Sequence, residues 1–175
     1  MSFEEFQASI LSPALREVAL HWNAARGTKP MPGWKDIDPT AIGPYLKIIW
    51  SWKYDRDSDS FTGRLAGDDI IRVFGENPRG MRMQDFFAGK QFDMIFERHR
   101  RVVVEPAFAR GFGQVFVHAQ RYGQGERIIM PLASDGLHGD GILGATLYEM
   151  DLSKKMEAKA KPYLEAEKVV FFPLD

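Results

Sequence analysis

The chain has 175 residues, 45% hydrophobic and 27% charged, which suits one soluble globular domain with its own core and is short for two. Its 23 Lys and Arg against 24 Asp and Glu leave a formal net charge of −1, which argues against a bulk electrostatic binder of nucleic acid. It contains no Cys, which excludes disulfides, thiolate metal sites and Cys nucleophiles outright.

The first residues carry Glu4 and Glu5 where a secretory signal carries bases. No stretch approaches the ~20 apolar residues needed to cross a bilayer, so a cytoplasmic protein without membrane contact is the expectation. Ser2 and Glu5 have capping-box spacing and open a short helix. Ser12 and Pro13 start a second, because Ser caps and Pro suits the first helical position. Leu15, Val18, Trp22 and Ala25 share one face of it, and Gly27 ends it. Residues 28–34 hold two prolines and a glycine and read as loop. Asp38 and Pro39 predict a further short helix by the same logic, limited by Gly43 and Pro44.

Trp50, Trp52 and Tyr54 then alternate with Ile49, Ser51 and Lys53, which predicts a strand with one large apolar face. A polar turn over 55–60 leads into a second strand over 61–66. Asp68 opens a short helix that Gly75 stops, and a short helical piece follows at Phe86 and Phe87. A longer helix is predicted over 90–103, with Phe92, Ile95, Phe96 and His99 on one stripe. Strand-like segments follow at 114–122, 126–133 and 141–150, with turns at 122–126 and 134–136. A polar helix over 153–161 and an apolar run at 169–172 close the chain. Strands arriving in consecutive runs indicate α+β with an antiparallel sheet, since hairpins need only short turns.

The order of two strands, short helices and three strands is similar to the PAS fold. Leu20, His21, Trp22, Arg26, Pro32, Asp36 to Pro39, Leu46, Arg64 to Gly67, Pro131 and Leu132 resemble a family of short PAS-like proteins from alphaproteobacteria. The resemblance spans residues 12–150. One departure is Trp34-Lys35 in a Pro-x-x-Asp segment where the family often carries Arg. The resemblance implies a five-stranded antiparallel sheet with flanking helices and a cavity closed by the middle helices. It implies an N-terminal helical extension over 1–46 packing on the domain, the PAS-like domain over 47–150, and a C-terminal helix and apolar tail over 151–175. It further implies a stand-alone sensory or regulatory module that binds a small molecule and signals by contact with a protein partner. A ligand-free interaction or dimerisation module is the alternative, with a homodimer through the amphipathic N-terminal helix. No cofactor is singled out.

Several motifs invite chemistry. Gly139, Gly141 and Gly144 match the dinucleotide pattern, but the residues after them read as strand where that site needs a helix N-terminus. Asp55, Asp57 and Asp59 mimic a calcium loop, yet Ser60 and Ala66 stand where Gly and a bidentate Glu are needed. None of His21, His99, His118 and His138 has metal-ligand spacing to another. His99 stands out on its apolar stripe. In haem-binding PAS domains a helix of this region supplies the axial histidine, so the resemblance makes His99 a candidate; the plainer reading is a core histidine bonded to backbone. The candidate ligand-binding residues are therefore Trp50, Trp52, Phe96, His99 and Met130, with plain core as their alternative. Arg64 is expected to pair with Asp36 or Asp38. Arg98, Arg100 and Arg101 read as a solvated face or a docking patch. No nucleophile elbow, phosphate loop or spaced carboxylate pair is present, so no catalytic residue is assigned and an enzyme is not expected.

Overall fold

The computed structural model describes residues 2–118, 121–149 and 167–174. Helix α1 (Ser2–Ser9) leads into α2 (Pro13–Arg26). The Ser12 hydroxyl accepts from the Leu15 N–H at 3.4 Å, Pro13 takes the first position, and Gly27 closes the helix at φ 57°, a value that favours glycine. The Glu126 carboxylate accepts from the Leu11 and Ser12 N–H groups at 2.9 and 2.7 Å, pinning the junction of the two helices to the sheet.

The helix expected at Asp38 is absent. Asp38 Oδ1 accepts from the Thr40 N–H at 2.8 Å, so the chain turns locally, and a 3-10 turn, Gly43–Ile48, delivers it to the first strand. The side chain that could have capped a helix instead offers the backbone a competing local bond.

The sheet has six strands: β1 (Ile49–Asp55), β2 (Ser60–Ala66), β3 (Ala107–His118), β4 (Arg121–Leu132), β5 (Gly141–Glu149) and β6 (Glu167–Pro173). Their order is β2-β1-β5-β4-β3-β6, and every neighbouring pair is antiparallel. The expected five-stranded sheet is thus present, with β6 added at its edge. The apolar run Val169, Val170, Phe171 and Phe172 pairs with Gly111, Arg110, Ala109 and Phe108 of β3. Strand β3 begins seven residues before the expected start, and Gly123 and Gly125 lie inside β4 instead of in a turn. A Cβ on Gly125 would sit 2.2 Å from the Leu147 carbonyl oxygen, so close approach of β5 requires glycine there. The polar helix expected over 153–161 lies outside the described residues.

Strand alternation divides the core. On one face, α1 and α2 lay Phe6, Leu15, Val18 and Trp22 against Phe108, Ile128, Met130 and Leu143. On the other face pack α3 (Asp68–Phe74), α4 (Met83–Phe86) and α5 (Gly89–Val104). They cover Trp50, Trp52, Tyr54, Phe61, Ile129 and Ile142. The apolar stripe of α2 that suggested a dimer contact is therefore buried against the chain's own sheet. No helix among the described residues is long and apolar enough to cross a membrane.

A β-bulge corrects the expectation for Arg64. Ser51 pairs with Leu65 and Trp52 with Gly63, which leaves Arg64 as the extra residue. Phe61 and Leu65 consequently reach opposite faces of the sheet. Arg64 lies 4.5 Å from the Trp34 ring, whereas Asp36 is held by Lys29 at 2.5 Å and by the Gly33 N–H at 2.7 Å.

Candidate functional site: a cavity beside His99

A cavity lies between the sheet and α3–α5. Trp50 and Trp52 of β1, Ile70 and Phe74 of α3, Phe86, Phe87 and Ile95 form its apolar walls. Gln91, His99, Arg127, Thr146 and Tyr148 bring polar groups to it from α5, β4 and β5. The centre of a water molecule can move within about 40 Å³ of it. That is room for about three waters at roughly 10–15 Å³ each.

Each polar wall has a local cause. A Cβ on Gly144 would lie 2.2 Å from the Trp50 ring, so the missing side chain is what lets the indole lie across β5. The Trp50 indole N–H then donates to Thr146 Oγ1 at 2.8 Å. With that oxygen accepting, the hydroxyl proton of Thr146 is available for donation elsewhere. His99 lies flat against Trp50, with centroids 5.3 Å apart and planes at 19°, and stands edge-on to Phe61 at 6.0 Å.

His99 is buried, and its Nδ1 has no hydrogen-bond partner among the described residues. Burial holds its pKa well below the usual imidazole range, and the charges of Arg98 and Arg127 push the same way. The Ile95 carbonyl one turn earlier pulls in the opposite sense without making a well-formed hydrogen bond to Nδ1. His99 is therefore neutral at neutral pH.

Behind the cavity lies a buried ion cluster. Glu167, the first residue of β6, receives Arg98 Nη1 at 2.9 Å on one oxygen and has Arg127 Nε 3.2 Å from the other. Arg127 also donates to the Val115 carbonyl. Gly111 makes room, because a Cβ there would lie 2.2 Å from Glu167 Oε1. All three ionic side chains are less than 10% exposed. Leaving any one of them unpaired at such burial would be strongly unfavourable.

Of the five residues singled out from sequence, Trp50, Trp52 and His99 meet at the cavity. Phe96 stands beside it, packing on Phe61 at 5.8 Å and Phe92 at 5.4 Å. Met130 is fully buried on the opposite face, against the core of α1 and α2. Parity explains the miss: in β4 the positions facing the cavity side are Arg127 and Ile129, so Ile128 and Met130 point away. Sequence reasoning passed over Gln91, Arg127, Thr146, Tyr148 and Glu167. For Arg127 the signal was available, since an Arg in phase with Ile129 on a strand buried on both faces needs a partner inside.

The remaining motifs resolve into structure. Arg98 is buried in the ion cluster instead of solvated, Arg100 binds Asp59 at 3.0 Å, and Arg101 lies over the Phe171 ring at 4.1 Å. Asp59 also accepts from the Tyr54 hydroxyl at 2.5 Å, while Asp55 caps the Asp57 N–H at 3.0 Å. Gly139 passes under α5, where a Cβ would lie 2.4 Å from the Val103 carbonyl oxygen. His21 accepts from the Asp38 N–H at 3.1 Å and His138 bonds Asp135 at 2.7 Å. The side chain of His118 lies outside the described residues. Among the described residues no group of three acids or histidines is placed to hold a metal ion.

The cavity does not fit a haem. A space for about three waters cannot hold the macrocycle, and the His99 ring lies flat on Trp50. The same volume excludes a flavin ring system.

A family model described as a PAS domain matches residues 10–147. No curated protein matches the chain, and no solved structure matches it.

Proposed function

The chain belongs to the PAS-domain family, and on that premise we propose that it is a sensory module whose ligand occupies the cavity beside His99 and whose state is passed to a protein partner. The observation that carries this reading is the convergence of Gln91, His99, Arg127, Thr146 and Tyr148 from three elements on one space with aromatic walls. A core evolved only for packing would fill that space with side chains, as the opposite face of the sheet does. The ligand is small, because the space is. Trp50, Trp52 and His99 supply contact surface, and the polar groups fix orientation.

The module binds and does not turn its ligand over. Among the described residues no carboxylate lines the cavity. Among the described residues, neutral His99 has no acidic partner on Nδ1 that would orient it as a base. A place in the cytoplasm, and a partner other than nucleic acid or membrane, belong to the same proposal.

The test is a thermal-shift screen of small metabolites against wild type and Val115→Phe, with Ile95→Phe as a second filled variant. Val115 and Ile95 are cavity-wall residues at 1% and 3% exposure, so the larger ring projects into the space. Compounds that stabilise wild type and leave both filled variants unmoved support the cavity reading. Equal shifts in all three proteins would place binding elsewhere. No binder, together with filled variants more stable than wild type, would favour a ligand-free interaction module.

A further inference from the structure

We propose that the ligand of this cavity is a small uncharged molecule carrying both a hydrogen-bond donor and an acceptor, an alcohol or a primary amide, which donates to His99 and accepts from Thr146. The inference deepens the proposed function and rests on it.

The polar wall divides by what is already engaged. Arg127 sits 3.2 Å from Glu167 and donates to the Val115 carbonyl. Gln91 and Tyr148 have interactions of their own. Thr146 accepts the Trp50 indole N–H, and among the described residues nothing receives its hydroxyl proton. His99 is 2% exposed, and its Nδ1 has no hydrogen-bond partner among the described residues. Spare hydrogen-bonding capacity is thus seen at two groups, and both are neutral.

These two groups call for complementary atoms. A neutral imidazole has one N–H and one lone pair. The Ile95 carbonyl, one turn earlier on α5, favours the proton on Nδ1 and leaves Nε2 as the acceptor. A buried acceptor without a donor is costly, so a guest that brings a donor gains more there than in water. Thr146 needs the opposite, an acceptor for its proton. His99 and Thr146 sit against the same indole, one stacked on its face with centroids 5.3 Å apart and the other bonded to its nitrogen at 2.8 Å. A guest beside Trp50 meets both, and its apolar part meets Trp52, Ile70 and Phe86.

Charge counts against ions. A cation would meet Arg98 and Arg127, whose charges already oppose a proton on His99. A carboxylate brings no donor for His99, and Glu167 already places its two oxygens against both arginines. A guest ion would therefore give up its hydration without a counter-charge reserved for it.

The test follows the Trp50 indole N–H resonance of the full chain (assigned with Trp50→Phe), because that N–H bonds to Thr146 and responds when Thr146 donates to a guest. The probes are 2-propanol against acetone, which share a skeleton and differ in the donor, and acetamide against acetate at matched ionic strength. In wild type 2-propanol should bind about threefold to tenfold more tightly than acetone, the worth of one net hydrogen bond. Acetamide should bind more tightly than acetate. His99→Phe keeps a ring against Trp50 and should remove the preference for 2-propanol. Thr146→Val, read through the Trp52 indole resonance, should weaken 2-propanol and acetone alike and keep the preference. Should either variant fail to fold, the two wild-type comparisons still decide. Acetone binding as tightly as 2-propanol, or acetate more tightly than acetamide, would overturn this proposal and leave the cavity reading intact. No movement of the Trp50 resonance with any probe would overturn it as well. The metabolite screen against the filled variants then judges the cavity reading separately.

Discussion

The two faces of one sheet are built by different rules. Under α1 and α2 the core is filled and aromatic, with one buried ion pair, Arg110–Glu126 at 2.5 Å, at the junction of the two helices. Phe6 stacks on Phe108 at 4.7 Å, Trp22 meets Phe108 edge-on at 4.9 Å, and the Trp22 indole N–H is satisfied by the Pro131 carbonyl at 2.8 Å. Under α3–α5 the aromatics are as numerous, yet they share the interior with an ion cluster, a neutral histidine and a cavity. Both faces hold buried charge, for which apolar replacements of the same shape are often as stable, and the difference is that under α3–α5 it borders open space. The face beneath α1 and α2 is filled, and the face beneath α3–α5 gives up some packing around its cavity.

The largest test of that contrast compares two tryptophans. Trp22→Ala should cost about 3–5 kcal/mol, since it opens a void in a filled core and strands the Pro131 carbonyl. Trp50→Ala should cost less, by at least about 1 kcal/mol, because its ring already borders open space. Chemical denaturation of both variants measures the difference, and equal losses would mean the two faces are packed alike. Next in size is Gly144→Ala. Its methyl group would fall on the Trp50 ring, so about 1–3 kcal/mol of overpacking is expected together with a changed Trp50 fluorescence. The control Gly43→Ala, at a position with nothing within 4 Å, should change neither.

The contrast was half visible in the sequence. Elements whose signals are local came through: Ser12, Pro13 and Gly27 around α2, the alternation of β1, and Gly75 closing α3 at φ 78°. Trp50, Trp52 and His99 were legible as residues that meet in the interior, because large aromatics in strand phase and a histidine on an apolar helical stripe identify themselves. The ion cluster was not legible. Its acid, Glu167, is 40 positions from Arg127 and 69 from Arg98, and only the pairing of β6 with β3 brings the three together. The glycines at 111, 125 and 144 were equally opaque. Gly125 and Gly144 look like turn and nucleotide-loop residues, whereas the neighbour that each of the three admits is contributed by another strand. Arg64 failed for a related reason, since one bulge residue changes which face every later side chain reaches.

The smallest effect is the most specific to the face that carries the cavity. His99 is neutral in the fold because burial and two arginines oppose its protonation, whereas in the unfolded chain an unperturbed histidine takes up a proton near pH ~6.5. Below that pH the unfolded state binds the extra proton, so the stability that His99 permits is fully present above ~6.5 and declines as the pH falls. The limiting slope for one such group is about 1.4 kcal/mol per pH unit. Between pH 7.5 and 5.5 wild type should therefore lose roughly 1 kcal/mol more than His99→Phe, which keeps a ring against Trp50 and has nothing to protonate. Urea titrations at the two pH values measure it, and taking the difference between the proteins removes every other titrating group they share. Parallel losses would mean that His99 is hydrated or partnered in solution. A larger loss in His99→Phe would reverse the sign and require an acid facing the ring, which is the arrangement of a base and not of a binding wall.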